Sequence, residues 1–306
     1  MKELIRLQTE VATGRFTLPV AILVCLLLWT FTFGEWSEWM SFGVAAIVGY
    51  LMIEANTAFT LIRTRTNLPV CIYWYLHSIL FFIHAPGWEV LVPLAFILAT
   101  FHFFRSYESP IPSFPVFHTF FFISLGSLVF PPFISLAPLF FFGLVPFRAL
   151  NAKSFWASLT GCITPYWFLF GYAFCSDSMH LFLEPLQAMG RFHLFDFGRV
   201  SPQEAVSWGV VTVSLIISCV HYGQVSYMDK TRTRICFFFL SLTGLWASLA
   251  CILQPPYAHG WMQIQLIPTA FLMGHLFSLT RNRFSGILFI VTFVAYISLM
   301  LFNLWM

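Results

Sequence analysis

Glu54 is the first side chain in this sequence placed where chemistry is expected. It lies in "MIEANTAFTLIRTRTNLP", residues 51–68, an apolar run that ends in two arginines. Arg63 follows nine residues later, about 13 Å away at a helical rise of 1.5 Å per residue. Tyr50 and Thr57 share the helical face of Glu54, and Asn56 and Thr60 form an adjacent stripe. Four histidines in other apolar runs fall in the same half of the bilayer: His102 before Arg105, His118 after "SFPV", His221 before Lys230 and His275 before Arg281. Glu54, Asn56, His118, His221 and His275 form the expected intramembrane polar site. An ionisable side chain is expensive in hydrocarbon, which favours a functional reading of Glu54. The competing reading is a protonated carboxyl that hydrogen-bonds a neighbouring helix. Histidine and glutamate also ligate transition metals, but no two histidines show HxxH or HxxxH spacing on one helix, so no metal or other cofactor is expected.

Two further groups lie outside the apolar runs. "GEWSEW" brings Glu35 and Glu38 into a short turn, where carboxylates can act as a general base or hold a phosphate-bound metal. Acidic residues beside interfacial tryptophans are also ordinary at a membrane boundary. "FRALNAKSFWASLTGCITPYWFLFGY" carries Arg148, Asn151 and Lys153 in one loop, with Ser154 as the expected cap of the next helix and Gly161 placed for close packing. With Arg63 and Arg65 these residues are candidate ligands of lipid phosphates, although cationic loops also serve to set topology.

The elements that position these groups follow from composition. Hydrophobic residues make up 59% of the 306 residues and charged residues only 9%. A soluble domain is about one quarter charged, so this chain lacks the polar surface that water requires. The net charge of +3 is spread in short clusters, and no basic patch suggests nucleic acid. The pattern predicts an all-α polytopic transmembrane bundle of about eleven spans, near 17–34, 39–62, 68–84, 88–105, 114–130, 132–147, 154–174, 205–227, 235–253, 264–280 and 286–305. It reads as one transmembrane domain: seven helices in hairpins over 1–174, an outer interfacial segment over 175–204, and four helices over 205–306. The first apolar run is read as a span rather than a signal peptide, because no small-residue cleavage site follows it. The seven cysteines form no CxxC pair, and neither a disulfide framework nor a zinc site is indicated.

Charge sets the orientation. With the N-terminus inside, thirteen of the fifteen Lys and Arg fall on inner segments and only Arg191 and Arg199 outside. That split is the positive-inside bias, and it puts the N-terminus in the cytoplasm and the C-terminus outside. "TLPV", "NLPV" and "SFPV" open the first, third and fifth helices, with Thr, Asn or Ser as candidate caps and proline in the first turn. The junction "FPPF" is so tight that the fifth and sixth helices are candidates for a re-entrant pair. Before the eighth helix, "SPQE" makes a capping box of Ser201 and Glu204.

"FRALNAKSFWASLTGCITPYW", "NTAFTLIRTRTNLPV" and "QLIPTAFLMGHLFS" resemble a family of uncharacterised polytopic membrane proteins from Bacteroidetes, over nearly the whole chain. That resemblance implies a bacterial inner (cytoplasmic) membrane location. The chain is more distantly similar to membrane glycosyltransferases of the GT-C type, which use polyprenyl-linked sugars. This likeness implies catalytic carboxylates after the first helix, where Glu35 and Glu38 stand, although the loop here is about five residues and that class carries a long one. Three functions compete: handling of a lipid-linked substrate in envelope glycan or lipid biogenesis, proton- or ion-coupled transport through Glu54, and a non-catalytic role in a membrane assembly. The expected partners are membrane lipids, a polyprenyl-phosphate-linked glycan and other envelope proteins.

Overall fold

The computed structural model describes the backbone of residues 2–32, 38–84, 87–189 and 200–305, and their side chains except those of 2–5, 31, 32 and 38. Among the described residues the chain is helical and has no strand. The helices are α1 (Lys2–Thr13), α2 (Thr17–Thr32), α3 (Glu38–Phe59), α4 (Leu68–Ile79), α5 (Val92–Arg105), α6 (Ser113–Val129), α7 (Leu136–Gly143), α8 (Ala152–Cys175), α9 (His180–Met189), α10 (Pro202–Val225), α11 (Thr231–Leu253), α12 (Ala258–Leu279) and α13 (Arg283–Trp305). Each predicted span overlaps one of them, with ends that differ by up to six residues, and α9 lies in the predicted interfacial segment. Helix α1 is additional. It is short and charged, but it buries Gln8 and Ala12 on one face.

Six helical segments are long and apolar enough to cross a membrane: Trp39–Phe59, Trp88–Arg105, Pro202–Met228, Thr231–Leu253, Pro255–Leu279 and Arg283–Trp305. Helix α2 reaches that standard only together with α1, to which it is bent by 81°. The FPPF junction becomes a 3₁₀ turn over Pro131–Ser135, followed by an α7 of only 8 residues.

Contacts divide the chain into two units, one formed by 1–86 with 195–306 and the other by 87–194. In the first unit α12 is central. Helices α4, α10 and α11 pack on it, and α1 and α13 touch it further out. Helix α12 is the least apolar of the six segments, yet 94% of its most apolar stretch is buried; α13 is the most apolar, and only 22% of its stretch is buried. A soluble fold sorts the other way; the inversion is what helices of membrane-spanning length and composition would show with their most apolar surface facing outward. In the second unit α6 packs between α5 and α8. A Cβ on Gly161 would meet the Phe117 carbonyl oxygen of α6 at 2.6 Å, so glycine permits that close approach.

The helix ends differ in part from the predicted caps. Ser201 and Glu204 form the predicted box on α10. On α8 the cap is Asn151, three residues before the predicted Ser154. Asn151 Oδ1 accepts from Ser154 N, while Ser154 Oγ accepts from Asn151 N, so the serine serves at the third helical position. Asn67 makes no side-chain cap bond on α4; Thr66 Oγ1 accepts from Leu68 N instead. Helix α3 stops at Phe59 rather than near 62. Thr60 turns into the left-handed region at φ 47°, Leu61 N bonds back to Asn56 O at 3.3 Å, and Asn56 Oδ1 accepts from Ile62 N at 3.0 Å.

Candidate functional site

One end of the first unit gathers its cations, and α1 is the strap that does so. Gln8 Nε2 donates to the carbonyls of Phe277 and Thr280, each at 2.8 Å, and Ser285 Oγ donates to Gln8 Oε1 at 2.9 Å. Thr66 Oγ1 donates to Ala12 O at 2.5 Å and accepts from Ser278 Oγ at 3.3 Å. These bonds tie the α3–α4 and α12–α13 connectors to α1. The Arg232 guanidinium, 5.2 Å from the centre of the Phe59 ring, brings in the start of α11 by a cation–π contact. Arg63, Arg65, Lys230, Arg234, Arg281 and Arg283 are exposed around this end, and Arg232 is half-buried.

Behind that rim lies a buried histidine–aspartate pair. His275 Nε2 meets Asp229 Oδ2 at 2.8 Å, with the two side chains only 2% and 6% exposed. Helix α12 supplies the histidine, and the turn between α10 and α11 supplies the aspartate. Tyr222 and Phe237 stand edge-on to the imidazole with ring centres at 4.9 and 4.8 Å. The Tyr222 hydroxyl is buried without a hydrogen-bond partner, as is His275 Nδ1. Next to Tyr222 along α10, His221 Nε2 bonds Thr280 Oγ1 at 2.9 Å at the C-terminus of α12.

The sequence-predicted residues are distributed unevenly around this centre. His221 and His275 converge on the cationic end of α12. Glu54 does not join them: with Tyr50 and Thr57 it is exposed on α3. Because α3 ends five residues later, Glu54 stands about 7.5 Å from the helix terminus rather than at mid-span. Asn56 is spent on the turn that ends α3. His118 belongs to the second unit, where it stacks on His102 with ring centres 4.9 Å apart. Arg148 pairs with Glu108 at 2.9 Å on the surface, Asn151 caps α8, and Lys153 is exposed. Glu35 lies outside the described residues; Glu38 opens α3, and its side chain lies outside them too.

The other end of the same unit holds a second aromatic and imidazole cluster that sequence reasoning missed. Trp29 stacks on His84 at 3.8 Å and donates from its indole to Ser78 Oγ at 3.1 Å. His84 and His77 stack at 5.2 Å, and His84 Nε2 contacts His77 O at 2.7 Å. A cavity of about 110 Å³ adjoins them, walled by Cys25, Phe42, Ala45 and Trp74. Nearby, Glu204 Oε1 accepts from His259 Nε2 at 2.8 Å in addition to completing its capping box.

Asp229 and Tyr222 are the functional candidates that pattern reading passed over. Asp229 had one available signal: it is the sole acidic residue after Glu204. Tyr222 had none, since an aromatic in an apolar helix is ordinary. Comparison with family models, curated proteins and solved structures finds no match to this chain, so its site is read from geometry.

Proposed function

We propose that this chain is a multi-pass protein of the bacterial inner membrane that holds the phosphate of a membrane lipid at the cationic end of its first unit, a polyprenyl-phosphate-linked glycan being the leading class. In this reading eleven helices span, the N-terminus is cytoplasmic and the C-terminus is outside. The carrying observation is the convergence of three connectors that α1 and the Arg232–Phe59 contact tie together, with Arg63, Arg65, Lys230, Arg234 and Arg281 exposed around them. Each cation near an anionic lipid surface contributes about 1 kcal/mol, and several together select phosphate over neutral head groups. Among the described residues, the acidic groups toward this end are Asp229, buried against His275, Glu10, paired with Arg6 at 2.8 Å, and the exposed Glu54, fewer than the cations around them. Arg148 and Asn151 have structural partners in the other unit, so the reading rests on the first unit alone.

Native mass spectrometry of the protein in a mild detergent tests this. A retained polyprenyl phosphate or glycolipid, lost in a combined Arg63→Glu, Arg65→Glu and Arg234→Glu variant, is the expected result. Protein free of any phosphate-bearing lipid, or a lipid retained equally by that variant, sinks the reading.

A further inference from the structure

We infer that Nδ1 of His275 is a proton-binding site, held ready by Asp229. The inference is independent of what the cationic rim binds. A carboxylate oxygen only accepts, so the 2.8 Å contact requires His275 Nε2 to carry the hydrogen. In the neutral imidazole that leaves a lone pair on Nδ1. This nitrogen is buried and has no hydrogen-bond partner, an unsatisfied state that purely structural pairs avoid. The hydroxyl of Tyr222, whose ring stands edge-on to His275, and His221 Nδ1 on the same turn of α10 are buried and unpartnered as well. Three buried unpartnered polar atoms, one of them on the His275 ring itself, describe a place that takes up a proton rather than a finished network of helix-to-helix bonds.

The charged and titratable groups on the elements around the ring are Asp229 and Lys230 in the connector, Arg232 and Arg234 on α11, and His221 on α10. Cys236 of α11 also faces this end. Of the other elements packed on α12, α4 presents Pro69 against Gly274, α1 presents Gln8 and carries the Arg6–Glu10 pair, and α13 presents Ser285 and begins at the exposed Arg283. His221, half-exposed and bonded to Thr280, lies between the buried pair and the surface. The proton comes from water and returns to it: uptake forms one N–H bond at Nδ1 and turns the imidazole–carboxylate pair, of net charge −1, into an imidazolium–carboxylate pair of net charge zero.

Nitrogen-15 NMR of histidine-labelled full-length protein in detergent reads both the tautomer and the proton, with His275→Gln assigning the signal. The expected result is an Nε2–H tautomer at neutral pH that gains a second N–H on acidification from about pH 8 to about pH 5. Asp229→Asn is expected to abolish the single-tautomer preference. A His275 ring that keeps one protonation state throughout, or that carries its hydrogen on Nδ1 at neutral pH, overturns the inference. The wild-type spectrum decides this even where Asp229→Asn fails to fold.

Discussion

His275 and Asp229 are separated by 46 positions in the chain and by 2.8 Å in the fold. The pair joins the central helix to the α10–α11 turn, so it has a mechanical role whatever else it does. Removing one partner leaves the other buried without compensation. Asp229→Ala is expected to lower stability by about 3–5 kcal/mol. His275→Ala should do likewise. The double variant should lose less than the sum of the two, with a coupling of about 0.5–3 kcal/mol. Unfolding titrations in mixed micelles measure all four corners of that cycle, and strict additivity would show that the two side chains do not support one another.

Gly161 and Gly171 stand on the same helix, α8, in different surroundings. A methyl group at 161 meets the Phe117 backbone, which cannot step aside, whereas nothing lies within 4 Å of one at 171. Gly161→Ala is expected to cost about 1–3 kcal/mol by overpacking α6 against α8. Gly171→Ala should instead stabilise α8 by up to about 1 kcal/mol through its higher helix propensity. Thermal melts of the two single variants, compared in one detergent, check the opposite signs.

Asn151 and Lys153 stand two positions apart at the start of α8, and their substitutions separate capping from lipid-phosphate binding. Asn151→Ala removes the cap of α8 and should cost about 1 kcal/mol, while Asn151→Ser should restore most of it. Lys153→Ala should leave the melting temperature unchanged, because the lysine is exposed. Equal losses from both variants would contradict the capping role.

Glu54→Gln should change stability by less than about 0.5 kcal/mol, as expected for an exposed position with no buried partner. A loss several times larger would mean that the carboxylate is covered by something other than lipid or water.

The sequence alone determined an all-helical chain with helices apolar enough to cross a membrane, the rough positions of all but α1, and several local signals. The six long segments are legible because about twenty apolar residues are required wherever they pack, and the capping box of Ser201 and Glu204 closes within four residues. The tight fit at Gly161 could also be anticipated from the residue type. Tertiary structure decided which polar groups meet. The spans here are apolar on both their inward and outward faces, so no amphipathic stripe reveals which side of α12 faces Asp229 or that Glu54 points away from the bundle. Helix α1 was hidden for the opposite reason: it is too short and charged to read as a span, and its importance lies in single bonds from Gln8 and Thr66 to backbone carbonyls far along the chain. Such bonds depend on where three connectors end up in space, and that is set by packing around α12 rather than by any local run of residues.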